Sequence, residues 1–586
     1  MKYFLMAGLL FFIVFVGYRF TELMVVHRVR PEKTKGIMER VDCVLLAALM
    51  LLYGCTAFAN LGNREAPESF HHFEPGGSVT FDLGEVMEIS DVYYYTGLNT
   101  GSYDLWGSVD GVNYEKYETI EQSYAELFDW CKGSGSAVYA ARYLWIGTAY
   151  DLYLGEVVAI DAEGTPVPMT VVGDGGSDLV DEFDKFPDDL SYLTGTYFDE
   201  IYHARTAYEH IVGMWPYEIS HPPLGKVLMG VGIRLFGMNP FGYRCMGTLA
   251  GVLMLPFLYL LAKRMLKNTM GAFTATTVFA FDFMHFVQTR IATIDSYAVL
   301  FIVAMYYFMY CFVSERDKKS LALSGVCFGL GAASKWTCIY AGIGLGVIWL
   351  IHWVRRLLLE KDARKAYFKN IGFCMIWFVA VPGIIYYMSY YYYGLSQGMS
   401  GIGMFFDSRY AQIVWNNQVS MLSYHVGVDA THPYSSMWYE WIFNLRPILY
   451  YLNYGVGTRG SIAAFLSPLT AWGGMLAMIA MGYLAFFRKD TKAAFILLGY
   501  LAQLLPWVFV ERIVFNYHYF ACTVFLALSI GYVAAVLDKA GRKGCVLAIN
   551  AVAVGLFAAF YPALSGIMVA SSYGDNIMKW FGTWPL

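Results

Sequence analysis

Phe198-Asp199-Glu200-Ile201-Tyr202-His203 stands where this chain of 586 residues changes character. Before it lies a segment of short alternating runs and glycine turns, and after it come long apolar runs. A second short stretch, His221-Pro222-Pro223-Leu224-Gly225-Lys226, follows a little further on. Two adjacent carboxylates and a rigid basic turn next to membrane-like segments indicate chemistry at a bilayer surface.

The composition indicates a polytopic membrane protein, because 57% of the residues are hydrophobic and only 15% are charged. A helix needs about 20 apolar residues to cross a bilayer. Stretches of this kind lie at 1–18, 41–59, 241–262, 270–288, 296–313, 320–333, 338–354, 370–393, 462–486, 493–510, 517–537 and 545–569. The sequence therefore predicts about twelve transmembrane helices, of which 320–333 is the shortest.

The basic residues predict the orientation of these helices. Alternate loops hold 24 of the 41 Lys and Arg residues, and short basic loops remain on the cytoplasmic side. These loops are 19–40, 263–269, 314–319, 355–369, 488–492 and 538–543. The long loops at 60–240 and 394–461, and both termini, are therefore expected outside the cytoplasm.

The segment 60–190 has the pattern of a β-sandwich. Its predicted elements are strands at 78–83, 92–95 and 141–146 and a hairpin turn at Asp110-Gly111. The order of these pieces resembles the discoidin-like, or coagulation factor V/VIII type C, jelly roll of many carbohydrate-binding modules. Two roles are open for its Tyr and Trp residues. They either stack on sugars, or they form the core and rim of a domain that serves only as a spacer.

Asp199 and Glu200 open an amphipathic helical segment. At helical spacing Asp199, His203 and Thr206 share one face. A carboxylate at the start of a helix serves either as a cap for the helix or as a chemical group in a site. The residue types alone leave both interpretations open.

The turn at 221–226 has a stiff backbone, because each proline fixes its own φ and restricts the residue before it. Such a turn holds flanking side chains such as His221 and Lys226 in place. The following stretch, 227–236, is too polar to span a bilayer and suits its interface. A simple interfacial anchor is the alternative to a functional role.

Taken in order, these and further motifs resemble the protein O-mannosyltransferase family, glycosyltransferase family 39 of the GT-C superfamily. The matching pieces are Asp199-Glu200, the turn at 221–226, Pro240–Arg244, Arg290 with Asp295, Gly331–Trp336, His432–Ser436, Arg446-Pro447, and Glu511-Arg512 with Asn516–Phe520. They span residues 41–60 and 195–540. The chain departs from the eukaryotic members in lacking their β-trefoil domain and in adding an N-terminal span and the β insert.

The resemblance implies a mainly α, polytopic GT-C fold with an inserted extracytoplasmic β-sandwich. The expected regions are two N-terminal helices with a basic loop at 1–59, the discoidin-like domain at 60–190, a catalytic external loop at 191–240, transmembrane helices at 241–393, an external loop at 394–461 and C-terminal transmembrane helices at 462–586.

Asp199 is the expected general base of the reaction that the resemblance implies, with Glu200 orienting the acceptor or a neighbouring cation. The base takes the proton of an acceptor hydroxyl as its oxygen attacks the sugar. An unperturbed carboxyl pKa of about 4 makes a weak base. Close placement of Asp199 beside the acceptor hydroxyl has to compensate for this weak basicity, or the adjacent Glu200 carboxylate has to raise the apparent pKa of the pair.

The leaving group carries a phosphate, so the site needs cations. The residues expected to bind the donor phosphate or lipid are Arg244, Arg512, Lys335, His518 and Tyr517. Snorkelling or anchoring at the interface is the alternative role for the cations. The residues expected to shape the site are His221, Pro222, Pro223, Lys226, Arg290 and Asp295. Arg290 and Asp295 are also near enough in sequence to pair with each other.

No cofactor is predicted. No Cys or His residues have the spacing of zinc ligands, and an Asp-Glu pair alone is not a calcium or magnesium site. The sequence also contains no loop of the kind that binds nucleotide phosphates. A divalent metal is compatible with the gathered carboxylates and histidines but has no positive support. The expected partners are therefore a polyprenyl-phosphate-linked sugar, an exported protein acceptor and the bilayer, without nucleic acid.

These observations predict an enzyme of the cell membrane with its active site on the extracytoplasmic face. It would transfer a mannosyl or similar unit, with inversion, from a polyprenyl-phosphate donor to Ser or Thr hydroxyls of exported protein. One alternative is transfer to a glycolipid or wall polymer. Another is a sugar transporter or sugar-binding receptor, which is disfavoured because the charges lie at outer helix ends rather than at midplane.

Overall fold

The computed structural model describes residues 1–26, 38–133, 135, 138–361, 363–428 and 430–586. Two compact units divide the chain. The first, here called the membrane unit, comprises Met1–Ala59, Val212–Leu228 and Met246–Leu586. The second, here called the β unit, comprises Asn60–Ile211 and Met229–Cys245.

Helices make up most of the described chain. In chain order they are α1 (Lys2–Val26), α2 (Arg40–Phe58), α3 (Glu200–Val212), α4 (Leu224–Phe236), α5 (Pro240–Leu266), α6 (Thr269–Ala280), α7 (Phe283–Arg290), α8 (Asp295–Glu315), α9 (Lys318–Ser334), α10 (Thr337–Leu359), α11 (Ala363–Met375), α12 (Val381–Ser389), α13 (Tyr391–Leu395), α14 (Ser408–Gly427), α15 (Trp438–Phe443), α16 (Gly474–Phe487), α17 (Thr491–Leu504), α18 (Phe520–Lys539), α19 (Lys543–Ser565) and α20 (Ser571–Tyr573).

The strands form two antiparallel sheets. They are β1 (His71–Phe73), β2 (Ser78–Thr96), β3 (Gly101–Ser108), β4 (Glu115–Gln122), β5 (Trp130–Lys132), β6 (Tyr139–Thr148), β7 (Leu152–Asp161), β8 (Pro166–Val167), β9 (Thr170–Val172), β10 (Ile448–Gly455), β11 (Thr458–Ala464) and β12 (Val569–Ala570).

The predicted mainly α membrane fold is confirmed, with a smaller number of spans. Within the described residues, ten helical segments are long and apolar enough to cross a membrane. The pair α6 and α7, bent by 54°, makes an eleventh if counted as one broken span. The stretch predicted at 320–333 is α9, which has 17 residues. Its length lies at the lower limit for a span, so the described residues give ten or eleven clear spans against the twelve predicted.

The described basic loops meet at one end of the membrane unit, which we call the basic end. The contacts that join them are Arg264 with Glu315, Arg316 with Glu360 and Asn268 with Asp538. They connect the loops at 263–269, 314–319, 355–369 and 538–543. Half of the basic loop predicted at 19–40, residues 27–37, lies outside the described residues. The positive-inside rule predicts that the basic end faces the cytoplasm.

A small sheet lies partly within 394–461, which the sequence analysis treats only as a loop. β10 and β11 form a hairpin in which Gly455 pairs with Thr458. Gly457, in the turn, has a φ of 68°, which glycine adopts without steric cost. Residues 569–570 add a short third strand to this hairpin. The first strand, Ile448–Gly455, is mostly apolar and aromatic and lacks an apolar–polar alternation, so the sequence does not predict this sheet.

The β unit contains a nine-stranded antiparallel sheet of order β1-β7-β2-β6-β3-β4, with β5 and β9 on β2 and β8 on β7. The long strand β2 pairs with β6 and β9 in its first half and with β7 and β5 in its second half. Its register shifts between Asp82 and Met87, where Gly84 has a φ of 88°. Such an irregularity bends a strand.

The core of the β unit consists of alternating inward-facing side chains of these strands. Phe81, Ile89, Leu144 and Leu154 are fully buried within it. A separate antiparallel β domain is therefore confirmed, and its strands lie inside the predicted 60–190 segment. The discoidin-like resemblance of this domain stays a prediction.

Candidate functional site

Asp199 lies immediately before the first residue of α3. The preceding Phe198 has a φ of 53°, a left-handed conformation that bulky residues rarely adopt and that is often found at functional sites. The backbone N–H groups of Tyr202 and His203 donate to the Asp199 carbonyl at 3.2 and 3.3 Å. This hydrogen-bonded turn fixes the backbone at Asp199, whose side chain is partly buried.

Glu200 is fully buried and pairs with Arg244 inside the β unit. Arg244 donates through Nε to Glu200 Oε1 at 2.8 Å and through Nη2 to Oε2 at 2.7 Å. Glu200 Oε2 also accepts from the backbone N–H of Tyr197 at 3.1 Å. A bidentate pair of this kind is geometrically specific, so it sets the position of the helix start that carries Asp199.

The remaining N–H groups of Arg244 bind backbone carbonyls. Nη1 donates to Leu61 at 2.9 Å and to Tyr192 at 2.7 Å, and Nη2 donates to Gly195 at 2.8 Å. An arginine has five N–H groups, and all five are engaged within the β unit. A donor phosphate could bind the predicted Arg244 only by displacing one of these acceptors. The geometry therefore favours a positioning role for this residue.

Asp129 is a third carboxyl near this turn, and the sequence analysis missed it. A Cβ built on Gly195 would stand 1.7 Å from Asp129 Oδ1, so only glycine allows this approach. Surrounding protein atoms raise the pKa of Asp129 to about 8, and the positive charge of Arg244 partly opposes this rise. Asp129 belongs to no motif and lies far from Glu200 in sequence, so only the fold shows it.

Lys226, at the end of the 221–226 turn, is fully buried in the membrane unit. Its Nζ donates to the Glu218 carbonyl at 2.8 Å, to the Glu218 carboxylate and to the His221 carbonyl at 3.3 Å. Pro223 accepts the backbone hydrogen bond of Val227 at 3.0 Å as α4 begins. The turn is thus held from inside by Lys226, and the site-shaping role of this residue stays a prediction.

The same carboxylate holds His221. Nδ1 of His221 lies 3.2 Å from Glu218 Oε1 and 3.0 Å from the Ser220 hydroxyl. His425 of α14 donates through Nε2 to the Ser220 carbonyl at 3.0 Å. Burial lowers the pKa of His221, and that of His425 falls to about 4, also mainly by burial. Both imidazoles are therefore neutral hydrogen-bonding groups at physiological pH.

Lys335 and Asp295 form an ion pair in the membrane unit. Lys335 Nζ lies 2.7 and 2.9 Å from the two Asp295 carboxylate oxygens. The same ammonium lies 5.6 Å from the centre of the Tyr517 ring. Asp295 thus has Lys335 as its partner, while Arg290 donates through Nη2 to the Ala59 carbonyl at 3.1 Å.

A cavity of about 400 Å³, here called the cation cavity, brings four predicted residues together. They are His221, Lys335, Arg512 and His518. His425 lines the cavity as well, and the sequence analysis missed it because a single histidine in a polar helix carries no motif. His518 packs against Trp507, with ring centres 4.4 Å apart.

The rest of the cavity wall is largely aromatic and aliphatic, with Trp336, Tyr340, Leu422, Val426 and Phe509. Lys335 and Arg512 supply positive charge beside the carboxylate of Glu511, and the neutral imidazoles supply hydrogen bonds. A cavity lined by both cations and apolar side chains suits an anionic headgroup joined to a hydrocarbon chain. The described residues include no group of three or more His, Cys, Asp or Glu that could hold a metal ion.

Two family models match the chain. The model described as dolichyl-phosphate-mannose-protein mannosyltransferase matches residues 220–386. The model described as the C-terminal four TMM region of protein-O-mannosyltransferase matches residues 410–584. Together they cover more than half of the chain, including the cation cavity.

Curated relatives agree with these matches. The polyprenol-phosphate-mannose–protein mannosyltransferase of Mycolicibacterium smegmatis (strain ATCC 700084 / mc(2)155) is 24% identical over 435 residues, which are 62% of this chain and 82% of the relative. Dolichyl-phosphate-mannose–protein mannosyltransferase 1 of Saccharomyces cerevisiae is 24% identical over 255 residues, 39% of this chain and 31% of the relative.

A solved structure shares the fold. The S. cerevisiae protein O-mannosyltransferase Pmt1-Pmt2 complex bound to the sugar donor aligns with a TM-score of 0.58 and 13% identity. The alignment covers 67% of this chain and 89% of that chain. This likeness confirms the fold that the sequence motifs predict.

Proposed function

Since the chain belongs to the protein O-mannosyltransferase family, we propose a specific reaction for it. It is a polyprenol-phosphate-mannose-dependent protein mannosyltransferase, the activity named for relatives that match 62% of this chain. In the proposed reaction, the mannosyl unit passes with inversion to Ser or Thr hydroxyls of exported protein. The predicted alternatives, a glycolipid or polymer acceptor and a transporter or receptor, have no comparable support.

The observation that carries this proposal is the cation cavity. Lys335 and Arg512 line it beside aromatic and aliphatic side chains, which matches the two chemical parts of a polyprenyl phosphate. Charge-assisted hydrogen bonds to phosphate are about twice as strong as neutral ones. These cations would stabilise the charge that develops on the phosphate as the sugar leaves. Tyr517 would act indirectly, through its contact with Lys335.

Asp199 is the proposed general base. The acceptor oxygen attacks the anomeric carbon, the bond from that carbon to the phosphate oxygen breaks, and Asp199 takes the hydroxyl proton. Polyprenyl phosphate leaves with the bonding electrons. Displacement in a single step inverts the configuration at the anomeric carbon. Glu200 is paired with Arg244, so in this proposal it positions Asp199 rather than exchanging protons.

The proposal places the reaction on the extracytoplasmic face. Basic loops gather at one end of the membrane unit, whereas α8 and α10 begin, beside Asp295 and Lys335, at the other end. The positive-inside rule predicts that the basic end is cytoplasmic. The cation cavity would then open to the side where exported proteins emerge.

The decisive experiment measures mannose transfer from polyprenyl-phosphate mannose to a Ser/Thr peptide by purified enzyme. Asp199→Asn should lower kcat by about 100-fold or more, the usual contribution of a general base, while donor affinity is retained. Asp189→Asn, which changes an exposed carboxylate in the preceding segment, is the matched control and should transfer normally. Unchanged transfer by Asp199→Asn would disprove the assignment of Asp199 as the base. If the wild type transfers no mannose from polyprenyl-phosphate mannose, the proposed donor is wrong.

A further inference from the structure

A second cavity lies at the basic end of the membrane unit, remote in sequence from the family motifs. Its volume is about 500 Å³, and its wall is made by the last turns of α8 and α10 and the first half of α17. None of the predicted site residues is among the described residues that line it. We call it the basic-end cavity, and the reaction proposed above gives it no role.

Three arginines line the basic-end cavity against one carboxylate. Arg316 is the C-terminal cap of α8, Arg355 and Arg356 lie near the end of α10, and Glu360 follows that helix. Glu360 Oε1 lies 2.5 Å from Arg316 Nη2, and Glu360 Oε2 lies 2.8 Å from Arg356 Nη2. One carboxylate is thus shared by two arginines, and Arg355 adds a third positive charge, so the group is cationic overall.

Further contacts hold Arg316 and Arg356 in place. Arg316 lies in the left-handed region, with a φ of 61°, and its backbone N–H closes α8 by donating to the Phe312 carbonyl at 2.8 Å. Arg356 stacks over the Trp353 ring at 4.4 Å. Two of the three guanidinium groups are therefore fixed before any ligand arrives, which lowers the entropy cost of binding an anion.

Apolar side chains, here called the apolar wall, also line the basic-end cavity. Ile348, Ile351 and Leu359 from α10 and Leu498 from α17 line it. Ile351 and Leu359 are 51% and 73% exposed, on helices long and apolar enough to cross a membrane. Such side chains face acyl chains in a bilayer. An anion that binds here would therefore have hydrocarbon beside it.

We propose that the basic-end cavity binds an anionic phospholipid, with the headgroup phosphate at Arg316 and Arg355 and an acyl chain along α10 and α17. Basic pockets between transmembrane helices on the cytoplasmic side suit anionic headgroups, because that leaflet attracts Lys and Arg. The apolar wall distinguishes a lipid from free phosphate, which would have no contact with Ile351 or Leu359. The bound lipid would link the ends of α8 and α10 to α17.

The test measures lipid retention by native mass spectrometry of the full-length enzyme, after exchange into detergent with equal phosphatidylglycerol and phosphatidylcholine. The wild type should retain phosphatidylglycerol in clear excess. Arg355→Ala combined with Arg316→Ala should reduce this retention by about tenfold or more, since each surface arginine contributes several-fold to anionic lipid binding. Arg355→Lys keeps the charge and should retain most of it.

Arg364→Ala is the matched control, because Arg364 is an exposed basic residue of α11 that does not line the cavity. Its lipid retention should equal that of the wild type. Equal retention of both lipids, or no loss in the double variant, would overturn the proposal. Displacement of the lipid by millimolar inorganic phosphate would also overturn it, by showing a small-anion site. Because transfer activity is measured separately, these outcomes do not depend on the proposed reaction.

Discussion

Arg244 and Glu200, 44 residues apart in sequence, form a bidentate ion pair in which both side chains are fully buried. Burying two charges costs desolvation free energy that only good geometry repays. Here both carboxylate oxygens and all five guanidinium N–H groups have partners. The pair therefore fixes the start of α3, where Asp199 lies, instead of serving as a free cation and a free acid.

Removing Arg244 should destabilise the β unit strongly. Arg244→Ala leaves the Glu200 carboxylate buried without its counterion, a change that costs about 3–5 kcal/mol. Hydrogen exchange of the α3 amides in the full-length enzyme measures the effect, and protection should fall. Arg234→Ala, at an exposed arginine of α4, should leave α3 protection unchanged.

The double variant Arg244→Met/Glu200→Gln separates stability from positioning. Neutralising both partners removes the unpaired buried charge, so α3 protection should recover in part. Transfer activity should stay low, because the bidentate clamp on the turn is absent. Full activity in this double variant would contradict the positioning role.

The left-handed backbone at Phe198 should restrict which residues can replace it. Phe198→Asn and Phe198→Val both shorten the side chain, but asparagine tolerates a φ near 53° whereas a β-branched residue does not. Phe198→Asn should therefore keep more transfer activity than Phe198→Val, with a stability difference of about 1–2 kcal/mol. Thermal unfolding and kcat of the two purified variants provide the comparison. Equal unfolding temperatures and equal kcat values for the two variants would show that the left-handed backbone at Phe198 affects neither stability nor transfer.

Arg512 should act on donor binding. Arg512→Ala removes a cation that lines the cation cavity, and a hydrogen bond to a charged group contributes about 1.5–3 kcal/mol. The KM for polyprenyl-phosphate mannose should rise by about tenfold or more, while the peptide KM changes little. Arg409→Ala, at an exposed arginine that pairs with Asp407, is the control. If Arg512→Ala raised the KM for the peptide and left the KM for the donor unchanged, the result would argue against phosphate binding by Arg512.

Lys335 requires a paired design because it also neutralises Asp295. Lys335→Ala leaves Asp295 in a largely buried position without its ammonium partner, so loss of activity alone would be ambiguous. Lys335→Ala/Asp295→Asn removes both charges and should restore the folded yield. If donor KM remains high in the double variant, Lys335 contributes to donor binding. A normal donor KM would limit Lys335 to a structural role.

Glu156 of β7 should make the stability of the β unit depend on pH. Its side chain is fully buried, and burial raises its pKa to about 8 from an ordinary 4.5. The folded state therefore holds a proton that the unfolded state has lost between these pH values, so stability falls as pH rises from about 5 to 8. The slope approaches about 1.4 kcal/mol per pH unit for one proton.

Glu156→Gln removes this titration and keeps the shape of the side chain. Hydrogen exchange of the β7 amides in the full-length enzyme should accelerate less between pH 5 and 8 in the variant than in the wild type, after correction for intrinsic exchange. Glu163→Gln, in the exposed turn after β7, serves as the control. Identical pH dependence in Glu156→Gln and the wild type would contradict the assignment.

Much of the architecture followed from local patterns. Apolar runs predict the spans because the bilayer requires a fixed length of apolar helix, and the loops at 263–269 and 314–319 predict a shared basic end, which the Arg264–Glu315 contact bears out. The helix α9, with 17 residues, lies at the lower limit of that length. Glycine turns and alternation likewise predicted the β unit.

The family, the membrane fold and the motif residues follow from the sequence alone, because periodicity, charge runs and ordered motifs are local properties of a chain. The tertiary structure decided which side chains meet. It joined Glu200 to Arg244 and Asp295 to Lys335, and it brought Asp129 and His425 beside residues distant in sequence. Such contacts depend on how helices and strands pack, since side-chain partners far apart in sequence leave no periodic signal.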